Sequence, residues 1–87
     1  ATFNRSTVLD IPFSGKKTFK QQLEAVLDDM GYTQDANANL DGILVYRRSA
    51  IRQIFSGKIY VLLEDKQAHI SSRASHIRTI RRKLNQP

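Results

Sequence analysis

Between Gly57 and Ser72 the chain reads GKIYVLLEDKQAHISS, two alternating runs on either side of a polar break. The two-residue period of a strand puts Ile59, Val61 and Leu63 on one face and Lys58, Tyr60, Leu62 and Glu64 on the other. Glu64-Asp65-Lys66-Gln67 has the length of a hairpin connection, and Ala68, Ile70 and Ser72 then oppose His69 and Ser71 in the same alternation. A hairpin alone is marginally stable in water, and its apolar row has to be covered. The rest of the chain must therefore supply further strands and a covering layer.

The chain has 87 residues, 40% of them hydrophobic and 25% charged, which is the composition of one small globular domain spanning residues 1–87. With no cysteine there is no disulfide or thiolate chemistry, and His69 and His76 lack further ligands at metal-site spacing. Neither a metal nor a cofactor is expected. No apolar run approaches the roughly 20 residues of a membrane span, and no apolar signal segment opens the sequence. A soluble, cytoplasmic protein is the corresponding expectation.

Taken from the start, Ser6 to Phe13 reads as a strand with Leu9, Ile11 and Phe13 on one side, and Pro12 suits a strand end or a sheet edge because it has no amide donor. Phe19, Leu23, Val26, Leu27 and Met30 then form one stripe of a helix from about Lys16 to Met30, ended by Gly31 with Tyr32 folding back on the last turn. Its charges are inverted with respect to the helix dipole, with Lys16, Lys17 and Lys20 at the positive end and Asp28 and Asp29 at the negative end. Gln34 to Asp41 reads as a polar loop, and Ile43 to Arg48 as a strand with apolar residues on both faces. Ser49 to Ser56 reads as a strand extension and loop.

The net charge of +6 is unevenly spread. Residues 1–72 hold nine Lys and Arg against eight Asp and Glu, whereas residues 73–87 hold five cations and no acid. From about Ser75, a suitable N-cap, Ile77, Ile80 and Leu84 recur at helical spacing, and Arg78, Arg81, Arg82 and Lys83 fill the remaining positions. This second helix would dock by its aliphatics and present a basic back.

The order β-α-β-β-β-α implies an α+β two-layer sandwich: a four-stranded, mainly antiparallel sheet with both helices on one face. The last three strands form a meander, and the helical crossover allows the first strand to run parallel to a neighbour. The expected inward set is Leu9, Ile11, Phe13, Ile43, Val45, Ile59, Val61, Leu63 and Ile70. That leaves an open face with Val8, Leu44, Tyr46, Tyr60 and Leu62, rimmed by Lys58, Arg48 and His69.

Two uses of that face follow. As an interaction module the protein would self-associate or bind a protein partner through Leu44, Tyr46, Lys58, Tyr60 and Leu62. As a nucleic-acid binder, of RNA or single-stranded DNA, it would stack bases on Tyr46 and Tyr60 and hold phosphates with Arg78, Arg81, Arg82 and Lys83.

Enzymatic readings have no support and no catalytic residue is expected. No Gly-x-Ser-x-Gly turn is present, Ser14-Gly15-Lys16-Lys17-Thr18 lacks the spacing of a phosphate-binding loop, and Asp28-Asp29 and Glu64-Asp65 are adjacent pairs that point apart. The succession Met30-Gly31-Tyr32, Leu44-Val45-Tyr46-Arg47, Phe55-Ser56-Gly57-Lys58-Ile59 and Ile70-Ser71-Ser72, followed by a basic helix, resembles small bacterial β-α-β-β-β-α domains of unknown function. The resemblance implies the fold and carries no activity or site residues with it.

Overall fold

The computed structural model describes residues 6–39, 42–48 and 57–85. The elements are β1 (Ser6–Pro12), α1 (Lys16–Asp29), β2 (Thr33–Gln34), β3 (Ile43–Arg47), β4 (Ile59–Leu63), β5 (Gln67–Arg73) and α2 (Ala74–Leu84), with one 3-10 turn at Ala36–Ala38. The five strands form one sheet in the order β1-β5-β4-β3-β2, every neighbouring pair antiparallel. The α+β sandwich is therefore present with one strand more than the sequence suggests. The expected reading of residues 49–56 lies outside the described residues.

The hairpin forms as its alternation requires. Val61 pairs with Ile70 and Leu63 with Ala68, and the turn closes with the Glu64 amide donating to the Gln67 carbonyl at 2.8 Å. On the other side of β4, Leu44 pairs with Val61 and Tyr46 with Ile59. Residues directly opposite in a ladder share a face, so Leu44 and Tyr46 lie on the helix-covered side and Ile43 and Val45 on the other. This reverses the expected phase of β3. With apolar residues at both parities, its own sequence could not set the phase, whereas its pairing with β4 does. Tyr46 is only 2% exposed within the core, and its hydroxyl donates to Glu24 Oε2 of α1 at 2.9 Å.

β1 runs antiparallel to β5, from Ser6 opposite Arg73 to Pro12 opposite Gln67, rather than parallel to a neighbour. β3 already lies between β2 and β4, so β1 takes the outer edge of β5, where Leu9 meets Ile70 and Ile11 meets Ala68. Pro12 sits at the end of this edge strand, where a missing amide breaks no central ladder. The fifth strand, β2, pairs only Thr33 with Arg47 and Gln34 with Tyr46. Two residues are too few to show a period, which is why the segment reads as loop.

Both helices cover the same face. Phe19, Leu23 and Leu27 of α1 and Ile77 and Ile80 of α2 form one cluster with Leu9, Tyr46, Ile59, Val61, Ala68 and Ile70. α1 closes as the sequence requires: Gly31 adopts φ +87°, the Tyr32 amide donates to the Leu27 carbonyl at 2.8 Å, and that of Gly31 donates to Asp28 at 2.9 Å. This is the Schellman arrangement, and Tyr32 packs into the core beside Leu27. α2 differs at its start. β5 runs straight into it, with Arg73 at the cap position and Ser75 already inside the helix. None of the described helices is long and apolar enough to cross a membrane.

Leu23 and Ile70, fully buried on opposite layers of this core, test the assignment of faces. Leu23→Ala and Ile70→Ala should each lower stability by about 2–5 kcal/mol, measured by urea denaturation; an effect below about 1 kcal/mol would contradict the packing described.

Candidate interaction face

The open side of the sheet is laid out in rows by the register. Val8, Ser71, Tyr60 and Val45 form one row across β1, β5, β4 and β3, and Asp10, His69, Leu62 and Ile43 form the next. Alternation carries Lys58 to one end of β4 on this face and Glu64 to the other. Val8 is 60% exposed and Tyr60 44%, whereas Val45 is only 3% exposed. Of the sequence-predicted partner residues, Lys58, Tyr60 and Leu62 therefore lie together here, while Leu44 and Tyr46 belong to the covered face. Tyr46 cannot form a stacking platform with Tyr60, because the two rings are on opposite sides of the sheet. Arg48, expected at the rim, instead places its guanidinium 5.4 Å over the Tyr32 ring and donates from Nη2 to the Met30 carbonyl at 3.0 Å.

One end of the open face carries a charged cluster that the sequence does not announce. The His69 ring reaches Asp10 Oδ1 with Nδ1 and Glu64 Oε1 with Nε2, each at 2.6 Å. Gln67 Nε2 adds a bond to the same Glu64 oxygen at 3.2 Å. The hydrogen bond to Asp10, then that to Glu64, holds the imidazolium and raises the His69 pKa above its ordinary value, and the bond to His69 lowers that of Glu64. Asp10 is 59 residues from His69 in sequence, so only the β1–β5 pairing brings them together.

A second polar cluster lies under the start of β4. Tyr32 donates its hydroxyl proton to the Gly57 carbonyl at 2.8 Å, and Ser72 donates to the Lys58 carbonyl at 3.0 Å. His76 sits between them, with Nδ1 3.0 Å from Ser72 Oγ and Nε2 3.3 Å from the Tyr32 hydroxyl. With both hydroxyl protons committed to carbonyls, the shorter contact assigns the proton of the neutral ring to Nδ1. Burial first, then Arg48 and Arg73, lowers the His76 pKa. Ser72 is buried, and its proton goes to a backbone carbonyl rather than to a histidine base. The cluster therefore fastens the chain leading into β4 and does not form a nucleophile–base pair.

The basic helix presents Arg78, Arg81 and Arg82 as exposed residues. Arg81 also forms part of the wall of a cleft of about 490 Å³ above the stacked rings of Phe13 and Phe19, whose centroids are 4.8 Å apart. Lys83 is engaged differently, its Nζ lying 2.6 Å from Asp29 Oδ2 at the end of α1. That ion pair lowers the Asp29 pKa and answers one of the two unfavourably placed acids of that helix. Among the described residues no group of three His, Cys, Asp or Glu could hold a metal ion. Comparison with protein-family models, curated proteins and solved structures finds no match for this chain.

The two histidines should titrate on opposite sides of the ordinary value of 6.5, His69 above it and His76 below it, in an NMR titration of their ring protons. For stability the signs are opposite. The His69 contribution is fully present below about 6.5 and is lost as pH rises through its raised folded value. The His76 contribution is present above about 6.5 and is lost as pH falls through its lowered folded value. Asp10→Asn should move the His69 midpoint down and leave that of His76 in place; equal midpoints in the parent protein would contradict both clusters.

Proposed function

We propose that this protein is a non-enzymatic interaction module that self-associates or binds a protein partner through the open face of its sheet. The observation that carries the reading is the exposure of Val8 and Tyr60 on adjoining sides of the small Ser71, with Leu62 and Ile43 in the next row. A tyrosine beside aliphatic side chains, edged by Lys58 and the His69 cluster, has the make-up of an interface centre with a polar rim. Replacing Tyr60 and Leu62 together by Ser should weaken association at least about tenfold while the melting transition stays cooperative, as read by sedimentation across protein concentration and by circular dichroism. Unchanged association would remove this face as the interaction surface.

Nucleic-acid binding is less well supported, because Tyr60 and the exposed arginines of α2 lie on opposite layers and Tyr46 is in the core. If Arg78, Arg81 and Arg82 nevertheless hold phosphates, changing all three to Gln should reduce the slope of log affinity against log salt by about 0.7–0.9 for each phosphate no longer neutralised. The expected outcome is an unchanged slope with single-stranded RNA. A shallower slope in the variant would make the basic helix the functional surface.

A further inference from the structure

At every second residue along β4 and its flanks, the open face reads Lys58, Tyr60, Leu62, Glu64: cation, aromatic, aliphatic, anion. The midpoint of this series is Val61. We infer that the occupant of the face is a second copy of the chain, packed sheet against sheet about a two-fold axis that lies between the sheets and crosses β4 at Val61. The inference rests on the open face being an interaction surface, and it adds the partner and the register.

Such an axis turns the two faces together and reverses strand direction, so one copy's Lys58 stands opposite the other's Glu64 and Tyr60 stands opposite Leu62, each contact occurring twice. With a rise of about 3.3 Å per residue, Lys58 and Glu64 are roughly 20 Å apart along the strand. The two charge pairs therefore bracket an apolar centre. A face with this pattern complements a reversed copy of itself, whereas packing in the same direction would set Lys58 against Lys58 and Glu64 against Glu64.

The neighbouring strands follow the same rule. The axis lays the row Val8, Ser71, Tyr60, Val45 over the other copy's Asp10, His69, Leu62, Ile43. The small Ser71 then leaves room for the His69 imidazole, while Val45, already covered within its own chain, takes no part in the contact. Val8 and Asp10 match less well, but β1 lies two strands from β4, where the angle of about 30° between packed sheets carries the edges apart. The His69 and Gln67 bonds to Glu64 both fall on Oε1, so neither uses Oε2, which is left to receive the other copy's Lys58. Of the cations behind the net charge of +6, Arg78, Arg81 and Arg82 are on the helix layer, whereas Arg73 and Arg47 share the Lys58 end of the face, where the axis sets Arg73 over the other copy's Gln67.

A charge swap tests the register. Lys58→Glu and Glu64→Lys alone each set like charges opposite one another twice and should weaken self-association roughly five- to thirtyfold, measured by sedimentation equilibrium at low salt, with folding checked by circular dichroism. The double variant Lys58→Glu/Glu64→Lys restores opposite charges in reversed order but lacks the Glu64 bonds to His69 and Gln67, so it should associate more tightly than either single variant without fully returning to the parent. A double variant no tighter than the singles overturns the register; if Tyr60→Ser/Leu62→Ser still weakens association, the face itself survives as an interaction surface. A parent protein that stays monomeric at every concentration overturns the second copy as occupant.

Discussion

Val61 stands between Leu44 of β3 and Ile70 of β5, and this cross-strand row fixes which side of the sheet the helices cover. Once it faces inward, the two-residue period sends Tyr60, Leu62 and His69 outward, and β1 follows because Leu9 is paired with Ile70. A slip of one residue would exchange the two faces of a strand completely. The stripes of α1 and α2 are what make that slip unfavourable, since Leu23, Leu27, Ile77 and Ile80 have their partners only with the row in place. The composition of the open face is thus a consequence of how the core is paired.

Polar contacts then fix the helices to the sheet at particular points. The Tyr46 hydroxyl crosses to Glu24 of α1; burial first, then the Glu24 carboxylate, raises the Tyr46 pKa well above its ordinary value and keeps the phenol protonated. His76, from the first turns of α2, joins Ser72 and Tyr32 and so ties β5 and the end of α1 to the carbonyls before β4. A buried hydroxyl or imidazole left unpaired would cost about 1–3 kcal/mol, so these contacts are strongly directional requirements on the packing. Their histidine and serine hold the packing together at these points.

The molecule has two chemically different sides. On the helix layer Arg78, Arg81 and Arg82 face water while Lys83 reaches Asp29, so the C-terminal basicity is partly absorbed by contact between helices. On the sheet side the charges are placed at the ends, with Lys58, Arg47 and Arg73 before the apolar centre and the Asp10–His69–Glu64 cluster after it. Charge at fixed positions around an apolar centre sets the register of a contact made there.

Much of this was legible in the residues. The alternation through Gly57–Ser72 determined the hairpin, the spacing of Phe19, Leu23 and Leu27 determined α1, and Gly31 determined its end, since each rests on a short-range period or a local backbone requirement. Tyr60, Leu62 and Lys58 were placed on the open face by the same period. Tertiary structure decided what no local pattern encodes. The phase of β3 came from pairing Leu44 with Val61, because a strand apolar on both faces has no preferred side of its own. The position of β1 beside β5 and the joining of Asp10 to His69 came from contacts between the two ends of the chain. A two-residue period tells which side chains share a face; which strand lies beside which, and so which distant charges meet, is settled only when the common core closes.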